Sequence, residues 1–419
     1  MRAADLWWLH PGRIVCLALL PIYLSFLSFD FTRVVKNVYV PSGLYWWGLA
    51  LLVCLFVGIQ WALVHAERRI QVAPPLFSRG VMLLLLGGAL MAYAIWFGPL
   101  LARPQALMEL VAGGRRAEVR DTVSTMPGVT TLTQFGVAFA IAYGLKCSAG
   151  VQRVSFIEHA GFVVLLLLTL FRAFAWAERL ATIEYLVCFG VARMAFLPIV
   201  QPSYRRAAQV LPAAAALAMY GAFTATEYFR SWDYYVNEYD SIWAFTLDRL
   251  VTYYATATNN GIGELVETRA WPYYNGAFAF QSIWIMPGLG AVLQAAFGDP
   301  RVLGKDFLEI FARPEFNSPT AFFRVVMDFG YAGSALFFLL LGWLLGQAYA
   351  GFRCGRLFGL LMFPVFVLYL SEALRFSYFA ESRCAPLLLG LGILALDVRR
   401  QRWLAPGAWS RRESPAQRP

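Results

Sequence analysis

About ten apolar runs follow one another along the chain, and that succession constrains its fold more than any single motif. They lie near Ile14 to Phe29, Leu44 to Val64, Val81 to Leu101, Leu132 to Leu145, Ala160 to Phe171, Leu180 to Val200, Val210 to Thr226, Phe329 to Ala350, Leu357 to Leu370 and Cys384 to Leu396. A helix needs about 20 apolar residues to cross the hydrocarbon core, and in lipid only helices and closed barrels satisfy the backbone. The runs have helical length and no strand-like alternation, so they predict an all-α, polytopic membrane bundle of about ten spans, two of them short. Of the 419 residues 59% are apolar and 14% charged, with mean hydropathy +0.57, which excludes a soluble globular domain. The first run follows Arg2 and Arg13 without a small-x-small cleavage site before Asp30, so it reads as a retained span. None of the six cysteines forms a CxxC pair, which speaks against a disulfide framework or a zinc site.

With the N-terminus placed inside, the short inner connections carry Arg68, Arg69 and Arg79, then Lys146 and Arg153, Arg205 and Arg206, and Arg353 and Arg356. All are basic with few acids, as the positive-inside rule asks. The outer segments hold as many basic residues, so the acids separate the two sides. Only Asp5, Glu67, Glu158, Asp397 and Glu413 fall inside, and the other twenty lie outside or at the outer edge. The chain thus divides into N-terminal spans over 1–226, a long outer segment over 227–320, C-terminal spans over 321–398 and a basic inner tail over 399–419. Of 35 basic residues only Lys36, Lys146 and Lys305 are lysines. Arginine binds phosphate and carboxylate in a bidentate way, a weak pointer to anionic ligands that a GC-rich genome would also produce.

The outer segment 227–320 contains no run long enough to cross, yet 20 of its 94 residues are aromatic, which predicts amphipathic helices against the bilayer surface. Within it Arg249, Tyr253, Thr256 and Asn260 recur at helical spacing and share a face. A guanidinium, a phenol and amides suit an oligosaccharide phosphate; an interfacial helix anchored at the head groups has the same pattern. A second cluster, Arg172, Glu178, Arg179 and Glu184, sits between two apolar runs with almost no room for a loop. Ionisable groups at that depth are costly and normally face a bundle interior or watery cavity. On an unbroken helix Arg172 and Arg179 would share a face and could hold the two ends of a lipid diphosphate; a lattice of Arg–Glu pairs tying two spans is the alternative. A third cluster opens at Asn317-Ser-Pro-Thr, where Asn317 or Ser318 as N-cap and Pro319 as first helical residue mark a helix start. Its first turns carry Arg324 and Asp328, which could equally pair with each other. Glu372, Arg375, Glu381 and Arg383 crowd the last outer turn.

His10, His65 and His159 all fall on the inner side, so outer chemistry has carboxylates, arginines and phenols to work with. Nucleotide-binding and common hydrolase motifs are missing, and the outward-facing basic clusters argue against nucleic acid as a partner.

Met126-Pro-Gly-Val-Thr-Thr-Leu-Thr-Gln-Phe135, the stretch Arg172-Ala-Phe-Ala-Trp-Ala-Glu-Arg-Leu-Ala-Thr-Ile-Glu184, Thr258-Asn-Asn-Gly261 and Asn317-Ser-Pro-Thr with Asp328-Phe-Gly-Tyr-Ala-Gly333 occur in that order. Together they resemble the Wzy-type oligosaccharide repeat-unit polymerases of O-antigen and exopolysaccharide synthesis. The resemblance spans residues 120 to 345 in segments. It implies a GT-C-like inner-membrane glycosyltransferase opening to the periplasm, which moves a growing glycan from undecaprenyl diphosphate onto a lipid-linked repeat unit. It implies no metal and no cofactor, with a chain-length regulator as candidate partner beside the lipid-linked oligosaccharide and the bilayer. The related O-antigen ligases use an outer histidine, which this sequence lacks. On this reading Arg172, Glu178 and Arg179 are catalytic, with Glu178 ahead of Asp328 as proton acceptor. Arg249, Tyr253, Asn259, Asn260, Asn317, Arg324, Asp328, Arg375 and Arg383 bind substrate. A polyprenyl-phosphate-sugar glycosyltransferase with Asp30 as base, and a lipid-linked oligosaccharide flippase, are the competing classes.

Overall fold

The computed structural model describes residues 6–66, 74–103, 105, 108, 125, 126, 128–176, 179–197, 202–268, 271–299 and 301–404. Among them the regular structure is helical. The longer helices are α1 (Pro11–Ser28), α2 (Gly43–His65), α3 (Arg79–Leu101), α4 (Phe135–Ala149), α5 (Phe156–Trp176), α6 (Leu180–Met194), α7 (Arg205–Glu227), α8 (Ile242–Thr268), α9 (Leu289–Phe297), α10 (Arg301–Phe311), α11 (Ala321–Cys354), α12 (Leu357–Glu372) and α13 (Cys384–Leu404).

Six of these, α1, α2, α3, α5, α7 and α11, are long and apolar enough to cross a membrane, which makes the chain a multi-pass membrane protein. The other apolar runs are also helical but lie below that measure. At 15 residues each, α4 and α6 are short, α12 has 16, and the last turns of α13 carry Arg399, Arg400 and Arg402. Almost every residue of α4 from Gly136 to Lys146 is buried, so this helix is surrounded by protein. The wide apolar girth of α2, in contrast, leaves Trp46, Val53, Val57, Trp61 and Val64 exposed, as a lipid-facing surface requires.

Helices α2 and α11 pack with their backbones in close approach. A Cβ on Gly58 would collide with the Leu339 carbonyl, and one on Gly342 with the Leu55 carbonyl. Small residues on both helices therefore let the backbones touch, which in lipid replaces the hydrophobic drive of a soluble core. Helix α11 is interrupted at Gly330, whose φ of 67° and ψ of −170° lie where only glycine is comfortable. The break frees the Met327 and Asp328 carbonyls, which accept hydrogen bonds from Tyr273 N (2.9 Å) and Tyr274 N (2.7 Å).

Chain connectivity gathers the segments before α2, between α5 and α6, from α7 to α11 and between α12 and α13 at one end of the bundle, the loop-bearing end. At the opposite end His10 caps α1, His65 closes α2 and His159 lies in the first turn of α5. There Lys146 and Glu158 form a buried ion pair at 2.6 Å, with Ser155 and Glu158 capping α5 reciprocally.

Candidate functional site

The loop-bearing end is built from arginines held by buried carboxylates. At its centre Glu227, in the last turn of α7, is fully buried and takes one arginine on each oxygen. Arg179, just ahead of α6, pairs with Oε1, and its guanidinium lies 4.0 Å over the Phe223 ring. Arg249, from the second turn of α8, places Nε 2.8 Å from Oε2. Its Nη1 reaches Glu315 Oε2 at 2.9 Å, and the guanidinium is enclosed by Tyr235, Phe245, Tyr253 and Phe316, with ring centroids 5.3 to 5.8 Å away. Burial works against the Arg249 charge, but Glu227, Tyr253 and Glu315 outweigh it and raise the pKa above that of an ordinary arginine.

Tyr253, one turn further along α8, joins this pair to the α12–α13 turn. Its ring centroid is 5.8 Å from the guanidinium of Arg249 and 5.8 Å from that of Arg375. Arg375 contacts Glu372 at 3.4 Å. In the same turn Arg383 meets Glu184 of α6 at 3.2 Å, and the second oxygen of Glu184 accepts a 2.7 Å bond from Gln134. Beside Gln134 the buried Arg172 lies over the Trp96 ring at 4.5 Å, with Nη1 3.4 Å from Thr133 Oγ1. Gln134, Thr133, Arg172 and Glu184 line a cavity of about 10 Å³, room for a single water.

Further along α8, Glu264 is fully buried and binds Arg324 of α11 through both oxygens, at 3.1 Å each. One turn on, the Asp328 carboxylate accepts hydrogen bonds from the backbone N–H groups of Phe278 (3.1 Å) and Ala279 (2.6 Å). Asn259 holds the 37–39 segment through Tyr39 N and the Asn37 carbonyl. Asn260 holds the Phe316 and Ser318 carbonyls, and Asn317 is exposed beside them.

The structure therefore brings Arg172, Arg179, Arg249, Tyr253, Arg375 and Arg383 into one belt, with Arg324 and Asp328 adjoining it. Asn259 and Asn260 are engaged by backbone. Three local expectations come out differently. Arg172 and Arg179 do not share one helix, because α5 ends at Trp176 and α6 begins at Leu180. Arg324 pairs with Glu264, not with Asp328. Helix α11 starts at Ala321 with Thr320 as its N-cap, three residues after Asn317, because Thr320 N and Ala321 N are taken by the carbonyls of Ala257 and Ala373. Glu178 lies outside the described residues, as does the tail beyond 404.

Sequence reasoning missed Glu227, Glu264, Gln134 and Glu315. Glu264 had a signal: it lies one turn beyond Asn260 on the same stripe as Arg249, Tyr253 and Thr256. Asp30, the base of the competing transferase reading, is exposed, pairs with Arg33 at 3.3 Å, and the Thr32 hydroxyl holds its pKa below the usual carboxylate range. Among the described residues no three His, Cys, Asp or Glu side chains come together as metal ligands.

No family model, no curated protein and no solved structure matches this chain.

Proposed function

We propose that the chain is a Wzy-type polymerase. It crosses the bacterial inner membrane with about ten helices, opens its arginine belt to the periplasm, and joins undecaprenyl-diphosphate-linked repeat units by metal-independent glycosyl transfer. The observation that carries this reading is the sharing of one buried carboxylate, Glu227, by two guanidiniums. The second counter-ion of Arg249 is the part-exposed Glu315, so this arginine pair stays balanced only while Glu315 remains in place, and an anion arriving from outside can take over its role.

Such fixed cations suit a leaving diphosphate. The acceptor sugar hydroxyl attacks the anomeric carbon of the growing glycan, and the bond from that carbon to the diphosphate breaks with its electron pair on the departing oxygen. Undecaprenyl diphosphate leaves with one more negative charge on its bridging oxygen, which preoriented guanidiniums stabilise without reorganising. In this reading Arg172 and Arg179 hold the departing diphosphate, while Arg249, Arg324 and Arg383 serve the second head group or the glycan. The hydroxyl proton passes to a carboxylate. Glu178, next to Arg179 in sequence, is the first choice; Asp328 is second, because both its oxygens already accept backbone bonds.

Deleting the gene in its native host tests the class. A polymerase defect leaves lipid-linked units on the outer face, each capped at one repeat. Absence of outer-facing units would assign the chain to flipping and overturn the proposal.

A further inference from the structure

Arg249 is only 4% exposed, yet its hydrogen bonding is incomplete. Among the described residues Nη2 has no acceptor, and Nε, although 2.8 Å from Glu227, makes no hydrogen bond. A buried donor left unmade is costly and calls for a ligand. The two carboxylates beside Arg249 differ in kind. Glu227 is fully buried and shared with Arg179, so it is a fixed counter-ion. Glu315 sits on the short turn Pro314–Phe316 with its side chain 42% exposed, and touches Nη1 from the solvent side.

We propose that Glu315 is a displaceable stand-in for an anionic substrate group, and that Arg249 binds two anionic oxygens through Nη1 and Nη2 once Glu315 swings away. The site would take a phosphate of the lipid diphosphate or the carboxylate of an acidic sugar in the repeat unit; both present paired oxygens that match the guanidinium fork. The aromatic walls of Tyr253 and Phe316 supply faces for a sugar ring next to it. The four rings and Glu227 hold Arg249 in place. Asn260, bonded to the Phe316 carbonyl at 2.7 Å, anchors the turn that carries Glu315, whose Oε2 gives up Arg249 Nη1 and the Tyr235 hydroxyl (3.5 Å) when it swings away. The identity of the ligand rests on the glycosyl-transfer reading; the exchange itself does not.

The test uses the full chain in lipid nanodiscs, titrated with undecaprenyl diphosphate in one arm and with glucuronate in the other. Glu315→Gln removes the competing charge and is expected to tighten binding about five- to tenfold in at least one arm. Glu309→Gln removes a charge from the exposed α10 surface, where Glu309 meets Lys305 at 3.5 Å, and is expected to leave affinity unchanged. Tightening by Glu315→Gln in the diphosphate arm alone assigns the site to the carrier; in the glucuronate arm alone, to the sugar. Equal affinity in wild type and Glu315→Gln, or equal tightening by Glu309→Gln, overturns the proposal. Polymer formation from lipid-linked units is measured on the same preparation. Tightened binding without polymer would sink the functional reading and leave the exchange standing.

Discussion

Arg324 reaches past Asp328, four residues along its own helix, and grips Glu264 of α8 with two parallel hydrogen bonds of 3.1 Å. Glu264 is fully buried, so removing it strands a guanidinium, whereas keeping a carboxylate preserves the charge balance. Glu264→Ala is expected to cost roughly 3 kcal/mol, since breaking a buried pair from one side is far more damaging than losing a surface bridge. Glu264→Asp should cost clearly less. Thermal unfolding of the purified protein, followed by tryptophan fluorescence, reads the difference; equal melting temperatures for the two variants would show that this pair does not fasten α8 to α11.

Charge reversal at Arg179 has a different character, because it sets two carboxylates against each other at Glu227 and removes a cation from the belt. Arg179→Glu is expected to abolish long polymer ladders while the protein still reaches the membrane. Arg172→Ala, which only removes the guanidinium over Trp96, should slow chain extension by about a hundredfold, the usual scale for one lost electrostatic stabiliser. Gel ladders of the extracted polysaccharide beside a membrane immunoblot check both. Normal ladders in both variants would reduce these arginines to scaffolding.

Gly330 gives a purely conformational prediction. A Cβ there would meet Pro272 at an ordinary 3.4 Å, so space is not the obstacle; the backbone is, at φ 67° and ψ −170°. Gly330→Ala should therefore cost about 1 to 3 kcal/mol through strain alone. It should also loosen the 271–274 segment, which hangs on the carbonyls that the kink frees. Faster amide exchange at Tyr273 and Tyr274 than elsewhere in the variant would locate the damage; protection unchanged at both would contradict it.

Much of this architecture is legible in the sequence, and the reason is periodicity. Apolar runs announce helices because lipid leaves the backbone no other choice, and the stripe Arg249, Tyr253, Thr256, Asn260 follows from 3.6 residues per turn. Both are local properties. The partners were not local. Glu227 closes a span that reads as apolar, and nothing in the spacing of α7 says that Arg179 and Arg249 will meet on it. Arg324 and Asp328 illustrate the same limit, since an i,i+4 pair is the sequence default and only the position of α8 diverts Arg324 to Glu264. The start of α11 was displaced for a related reason: carbonyls of Ala257 and Ala373, distant in sequence, compete for the first N–H groups.

Which side of the membrane carries the belt decides whether a lipid-linked glycan can reach it. Tyr234, 82% exposed beyond α7, marks the loop-bearing end, and Val151, 48% exposed between α4 and α5, marks the opposite end. The connections at the Val151 end hold Arg153, Arg206, Arg353 and Arg356 with few acids, the pattern of a cytoplasmic face. With the exposed Cys16 replaced by serine, Tyr234→Cys is expected to react with a membrane-impermeant maleimide on intact spheroplasts. Val151→Cys should react only after permeabilisation. The reverse labelling pattern would turn Arg172, Arg179 and Arg249 toward the cytosol, where flipped repeat units are absent, and glycosyl transfer between them at this belt would be untenable.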